Sequence, residues 1–261
     1  MFLFSPLDQF ELGIVKGIFI TLNGDLFDIS LTNLSFFLFF SFFLIILLVK
    51  LKFYSKSQKI LPNPSQLFLE RVIAFIVSLI KENLNLSNLI YFTFLLSVFF
   101  LVLFSNVLGT FPYSFAVTSH LVITFSIAFC VFFGLNFIGY SIHHSQMFSL
   151  LLPQGVPYYI SSLLVLIEFI SYNFRVISLS VRLFANIMAG HTLLAVIYGF
   201  NHFVVSSTNT SFLIFILPLV LLPCVSVILL LIGLELAVAM IQAYVFILLC
   251  TLYLHDAKYL H

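Results

Sequence analysis

Glu168, Arg175, Arg182 and Ala189 recur every seven residues, so on a helix they drift by only about 20° per step and share one face. Asn186 follows Arg182 by four residues and joins that stripe. Arg182 is the hardest of these to accommodate, because the stretch from Ile177 to Gly190 is otherwise neutral and long enough to lie in a bilayer. A guanidinium keeps its proton in any protein setting. Holding it near the centre of a membrane helix costs about 2.5 to 3.5 kcal/mol on insertion scales. The stripe could be a structural salt bridge that lets a charged helix survive in lipid, or it could serve an ion pathway. Intramembrane charges by default face a bundle interior or a water-filled cavity, which favours the pathway.

Between Arg182 and Asp256 the only formal charge is Glu235, and Gln242 shares its helical face seven residues later. A carboxyl in such surroundings can exist with or without its proton, and so can carry one. His191 lies nine residues beyond Arg182, which on a straight helix turns it to the opposite side. If the Arg182 face meets a partner, His191 looks back into its own bundle, where Glu235 could meet it. A histidine in such a place can equally be a satisfied core group.

Composition says what kind of scaffold must hold these groups. The chain has 261 residues, 62% hydrophobic and 7% charged, with a mean hydropathy of +1.23. A soluble core of this size would leave almost nothing to face water, so the chain reads as an integral membrane protein. The net charge of +1 provides no basic stripe for nucleic acid. Cys130, Cys224 and Cys250 are odd in number, far apart and set in apolar runs, so they read as small core residues, with no disulfide or metal set among them. The first residues lack a basic region and carry Asp8 and Glu11, unlike a secretory signal. Synthesis inside an organelle or a bacterium fits.

The elements follow from the neutral runs. A first crossing is expected over 31–49, between Asp28 and Lys50. Lys50, Lys52, Lys56 and Lys59 follow it, whereas Asp8, Glu11, Asp25 and Asp28 precede it, which puts the lysine side inward and the N-terminus outside. Residues 65–84 have charged ends around a short neutral centre and suit an amphipathic helix at the inner surface; a short buried core helix is the other reading. No Asp, Glu, Lys or Arg lies between Glu82 and Glu168, and this stretch holds crossings at 89–108 and 119–140. Asn106, Gly109 and Pro112 punctuate the end of the first of these. His143 and His144 then open a polar linker and read as solvated. Two long segments, 158–199 and 212–256, finish the chain. Each extends to about 60 Å or more, twice the hydrocarbon thickness. No turn-forming cluster splits either segment, so two oblique helices are expected. The fold class is therefore an all-α polytopic membrane protein of about five membrane helices plus an inner-surface amphipathic helix.

The run from Ser180 to His191 (SVRLFANIMAGH), that from Leu234 to Phe246 (LELAVAMIQAYVF), and the ending Tyr253 to Asp256 (YLHD) resemble the a subunits of F-type ATP synthases. A looser likeness extends through Pro6 to Glu11 (PLDQFE) and Asn106 to His120 (NVLGTFPYSFAVTSH).

The resemblance implies a stationary proton-channel subunit without catalysis of its own and without a cofactor or metal. In that family the arginine matched by Arg182 faces a rotating ring of c-subunits and separates two half-channels. The last two helices form a long inclined hairpin, which resolves the length problem. His191 and Glu235 fall where the family places polar groups of the outer half-channel; bacterial members typically carry acid and histidine in the opposite order, so the pair points to a mitochondrion. Asn186 and Gln242 match polar neighbours of the arginine, and Glu168 matches an acid near the inner half-channel. Arg175 has a counterpart of less defined role, and His255 and Asp256 close the matching stretch. The implied partners are the c-ring, other membrane-sector and peripheral-stalk subunits, lipid and protons, in the mitochondrial inner membrane with the N-terminus on the intermembrane-space side and the C-terminus in the matrix. Two competing readings are a subunit of another proton-pumping complex and a non-transporting scaffold. The first typically uses intramembrane lysines, and this chain has none between Lys81 and Lys258. The second predicts that Arg182 can be replaced without loss of proton-driven synthesis.

Overall fold

The computed structural model describes residues 8–17, 19–22, 25–28, 30–54, 64–83, 90–111, 114–144, 158–207 and 210–258. Lys56 and Lys59, Pro112, and the linker residues Gln146, Pro153, Gln154 and Pro157 lie outside them. Six helices dominate: α1 (Asn33–Tyr54), α2 (Pro64–Asn83), α3 (Phe92–Thr110), α4 (Leu121–His143), α5 (Tyr158–Ser207) and α6 (Thr210–Lys258). The chain is an all-α polytopic membrane protein. Among the described residues, four helices, α3 to α6, are long and apolar enough to cross a membrane.

Short strands before α1 qualify the all-helical expectation. β1 (Ile14–Lys16) pairs antiparallel with β4 (Leu31–Thr32), and β2 (Phe19–Leu22) with β3 (Asp25–Asp28). β4 takes the first two residues of the expected crossing. Its Thr32 then starts α1: the Thr32 amide donates to Ser35 Oγ at 3.1 Å and the Ser35 amide donates to Thr32 Oγ1 at 3.4 Å, a reciprocal cap of orphaned donors.

The core forms where α3, α4 and α5 close on α6. Small residues on α6, Ala239, Ala243 and Cys250, are buried in line with Phe246, Ile247 and Leu254. Such a stripe lets helix backbones approach closely where lipid supplies no hydrophobic drive between helices. Leu95 and Val102 of α3 and Leu135 of α4 fill the facing side. α2 buries Ile76, Leu79 and Ile80 in this core while Leu67, Phe68 and Phe75 remain exposed, so it packs on the bundle by one face.

Three details depart from the sequence reading. Asn106 and Gly109 lie inside α3, which ends at Thr110 just before Phe111 and Pro112. A helix interior tolerates asparagine and glycine at modest cost, whereas proline is the true stop. His143 belongs to the last turn of α4, and its Nε2 meets the Lys258 carbonyl at 2.8 Å, tying α4 to the end of α6. Cys130 is exposed on the bundle surface, while Cys250 is in the core.

α5 has 50 residues and α6 has 49, about 75 Å each at 1.5 Å per residue. Asn201 and His202, which lie between the expected segments 158–199 and 212–256, are still within α5, and Pro218 and Pro223 lie within α6. Each proline forfeits one backbone bond of its helix.

Candidate functional site

α5 carries two different faces. Val176, Leu179, Leu183 and Ile187 are buried at spacings of three and four residues, which fixes the side turned to the bundle. Phe174, Ile177 and Val181 stay exposed. Arg175 and Arg182 are exposed with them, and Glu168 and Asn186 are half-buried. Among the described residues no ion pair holds Arg182.

On the bundle side α5 meets α6 through His191 and Glu235. His191 Nε2 stands 3.4 Å from Glu235 Oε1, with the side chains only 14% and 4% exposed. Gly190 makes this approach possible: a Cβ there would lie 3.0 Å from both Cδ and Oε1 of Glu235. The Gly109 backbone, from α3, lies within hydrogen-bond reach of the His191 ring. Among the described residues, neither Glu235 oxygen nor His191 Nε2 has a good hydrogen bond. Gln242 is buried two turns along α6, on the face of Glu235.

Among the described residues, further buried polar atoms without partners lie on α3 and in its connection to α4. Asn106 is fully buried on α3, one turn before Gly109, and both of its side-chain polar atoms are unsatisfied. Thr118 Oγ1 and His120 Nε2 are buried and unpartnered in the connection from α3 to α4. That connection folds back tightly, since a Cβ at Gly109 would lie 3.2 Å from Ala116 Cβ. Ser114 turns its hydroxyl onto the carbonyls of Leu108, in α3, and of Phe111, just beyond it, and His120 stacks on Phe115 at 5.3 Å. Buried polar groups almost always find partners, and bound water is the usual one when protein supplies none. These groups are thus chemically suited to hold water.

The family described as ATP synthase A chain matches residues 35–255. The chain belongs to the ATP synthase subunit a family. It is 43% identical over 257 residues to ATP synthase subunit a of Chondrus crispus, covering 98% of this chain and 97% of that one. It is 39% identical over 260 residues to that of Marchantia polymorpha, covering 98% and 99%, and 37% over 261 residues to that of Emericella nidulans, covering 100% and 98%. As a family member it is a component of ATP synthase, serves ATP synthesis and proton transport in a membrane, and assembles with other subunits of that enzyme.

A second polar group joins α4, α5 and α6. The Tyr172 hydroxyl donates to Asn136 Oδ1 at 2.5 Å. Its ring meets Tyr253 nearly edge-on, centroids 5.9 Å apart. The Arg175 guanidinium lies beside the Tyr253 hydroxyl without completing a bond of good geometry. His255 Nδ1 is 3.5 Å from Asp256 Oδ1, and both are partly exposed. Glu168 lies one turn before Tyr172 on α5, and the structure gives it no ion pair with Arg175 or Arg182.

Asn106, Thr118, His120, Gly190, Tyr172 and Asn136 are candidate site residues that the sequence reading missed. Their signal is weak in a sequence, because a neutral polar side chain in an apolar run reads as punctuation or as noise until its burial is known.

Proposed function

We propose that this chain is the non-catalytic proton-translocating stator subunit of an F-type ATP synthase, loading and unloading protons on the carboxylates of a rotating c-ring through two offset half-channels. One observation supports it above the others: a single helix, α5, presents Arg182 on an open apolar face and holds His191 against the buried Glu235 on the other side. The exposed face fits a partner that is itself apolar and acidic, as a ring of helices with one carboxyl each would be.

On the outer side, a proton passes from water held near Asn106 and His120 to His191 and Glu235, and then to a ring carboxylate. Neutralising that carboxylate lets the ring turn into lipid. After nearly a full turn the same group reaches the inner channel near Glu168 and releases its proton. Arg182 attracts the ionised ring carboxylate and blocks a direct path between the channels; it exchanges no proton itself. Asn186 and Gln242 orient groups around it. Each proton brings about 2.3 kcal/mol per 100 mV of potential, plus the pH gradient. The exchanged order of histidine and acid, relative to the bacterial pattern of the family, supports a mitochondrial inner membrane as its location. The N-terminus then faces the intermembrane space and the C-terminus the matrix, with the peripheral stalk as the stationary neighbour.

Substitution of Arg182 tests the reading. Arg182→Lys keeps a cation but loses the planar fork, and is expected to abolish coupled ATP synthesis in membranes that still contain the assembled enzyme. Arg182→Ala is expected to abolish synthesis as well and to let protons leak down an imposed gradient. Undiminished synthesis in either variant overturns the proposal and favours a scaffold.

A further inference from the structure

His191 has one neighbour that the scheme above leaves without a task. Glu235 Oε1 stands 3.4 Å from the imidazole Nε2, and the Gly109 backbone lies within hydrogen-bond reach of the ring. The ring of Phe10 meets it nearly edge-on, with centroids 6.1 Å apart and planes at 83°, a preferred arrangement of aromatic pairs. Phe10 closes a short 3-10 turn, Asp8–Phe10, and the chain just after it is fastened down. The Asn33 amide donates to the Gly13 carbonyl at 3.0 Å, and β1 pairs with β4 immediately afterwards. A Cβ at Gly13 would lie 2.8 Å from Asn33 Nδ2, so the segment is pressed against the start of α1. The Phe10 ring is therefore carried by a braced support.

The need for such a support follows from the geometry of proton transfer. Transfer works at about 2.6 to 3.2 Å between heavy atoms, or through one water. The pair stands at 3.4 Å, so a small rotation of the imidazole decides whether the two groups meet. The last torsion of histidine has a broad, roughly two-fold profile, and rotamer preference does not hold the ring at one angle. A neighbour must. We propose that Phe10 is a positioning residue of the outer proton site, setting the plane of His191 so that Nε2 faces Glu235; this rests on the reading of His191 and Glu235 as that site. The N-terminal segment thereby becomes part of the proton entrance.

Four variants test it in the assembled enzyme: Phe10→Tyr, Phe10→Leu, His191→Gln, and Phe10→Leu combined with His191→Gln. Proton-driven ATP synthesis is measured per assembled complex, and carbethoxylation of His191 by diethyl pyrocarbonate is followed by mass spectrometry. Tyrosine keeps the ring and is expected to retain the wild-type rate within about twofold, whereas leucine fills volume without a ring and is expected to lose about two- to tenfold. Phe10→Leu is also expected to speed modification of His191 several-fold, and to add no loss of synthesis to His191→Gln. Phe10→Leu matching wild type in both rate and modification, while His191→Gln is impaired, sinks the Phe10 role alone. Fewer assembled complexes that each work normally would mark a purely structural contact and sink it too. Full synthesis by His191→Gln would remove the outer-site reading and this inference with it.

Discussion

Replacing Gly190 by alanine sets two effects against each other, and the structure decides their balance. In a helix interior alanine is favoured over glycine by about 1 kcal/mol, so on backbone grounds α5 should gain. The new Cβ, however, would stand 3.0 Å from Cδ and Oε1 of Glu235 and 3.3 Å from Cγ, where comfortable carbon contacts are about 3.5 to 4.0 Å. Glu235 is 4% exposed, and overpacking such a site costs about 1 to 3 kcal/mol. The expected net stability change is small or unfavourable. The expected functional change is larger. A carboxyl pushed back by about 0.5 Å opens the 3.4 Å approach to His191 toward roughly 4 Å, beyond hydrogen-bond range. Misplacement by about 1 Å can cost about 100-fold, so half of that predicts about a tenfold loss, or about 1.4 kcal/mol in the barrier. The assay is proton-driven ATP synthesis in native membranes, normalised to assembled enzyme on native gels. Gly134→Ala on α4 is the control, since nothing lies within 4 Å of a Cβ there. A Gly190→Ala enzyme with the wild-type rate, or a Gly134→Ala enzyme equally impaired, would refute the reasoning.

Asn106→Leu removes a fully buried amide without partners; because an unsatisfied buried group costs about 1 to 3 kcal/mol, the complex should be at least as heat-stable while ATP synthesis falls, and unchanged synthesis would show that the amide lines no proton route. Tyr172→Phe breaks the bond to Asn136 and should cost about 1 kcal/mol, read as a lower unfolding temperature of the solubilised complex. Burial holds the pKa of His120, outside the membrane-spanning helices, below its ordinary value. Its neutral form is thus the native one, so stability is intact above about pH 6.5 and is lost as pH falls through the unfolded value. Hydrogen exchange of residues 114–121 should accelerate between pH 7 and pH 5, and His120→Phe should remove that acceleration.

Much of the architecture is visible in the chain because lipid imposes one rule: a backbone in hydrocarbon must bond to itself, which selects helices wherever neutral apolar runs are long enough. The stretch between Glu82 and Glu168 and the tail beyond Arg182 leave little choice. The same rule hides other features. Asn106 reads as a breaker because its type favours loops, yet it is fully buried inside α3, and the packing of that helix on α6 overrides the preference. The strands before α1 are hard to anticipate, since they are two to four residues long and rest on pairing and on the Gly13 to Asn33 contact rather than on a pattern of their own.

The candidate site divides along the same line. Helical phase alone turns His191 away from Arg182, because nine steps of about 100° amount to half a turn; the meeting with Glu235 then needs only a second helix. What phase cannot supply is distance. The approach to 3.4 Å depends on a missing Cβ at Gly190 and on Ala239 and Ala243, which let α6 come close to its neighbours. Charged residues announce themselves in an apolar sequence, and the small residues that bring them within reach do not. The two are nonetheless one device, because a histidine and a carboxyl separated by a further methyl group would be two isolated polar groups in oil, each costing free energy and neither able to pass a proton to the other.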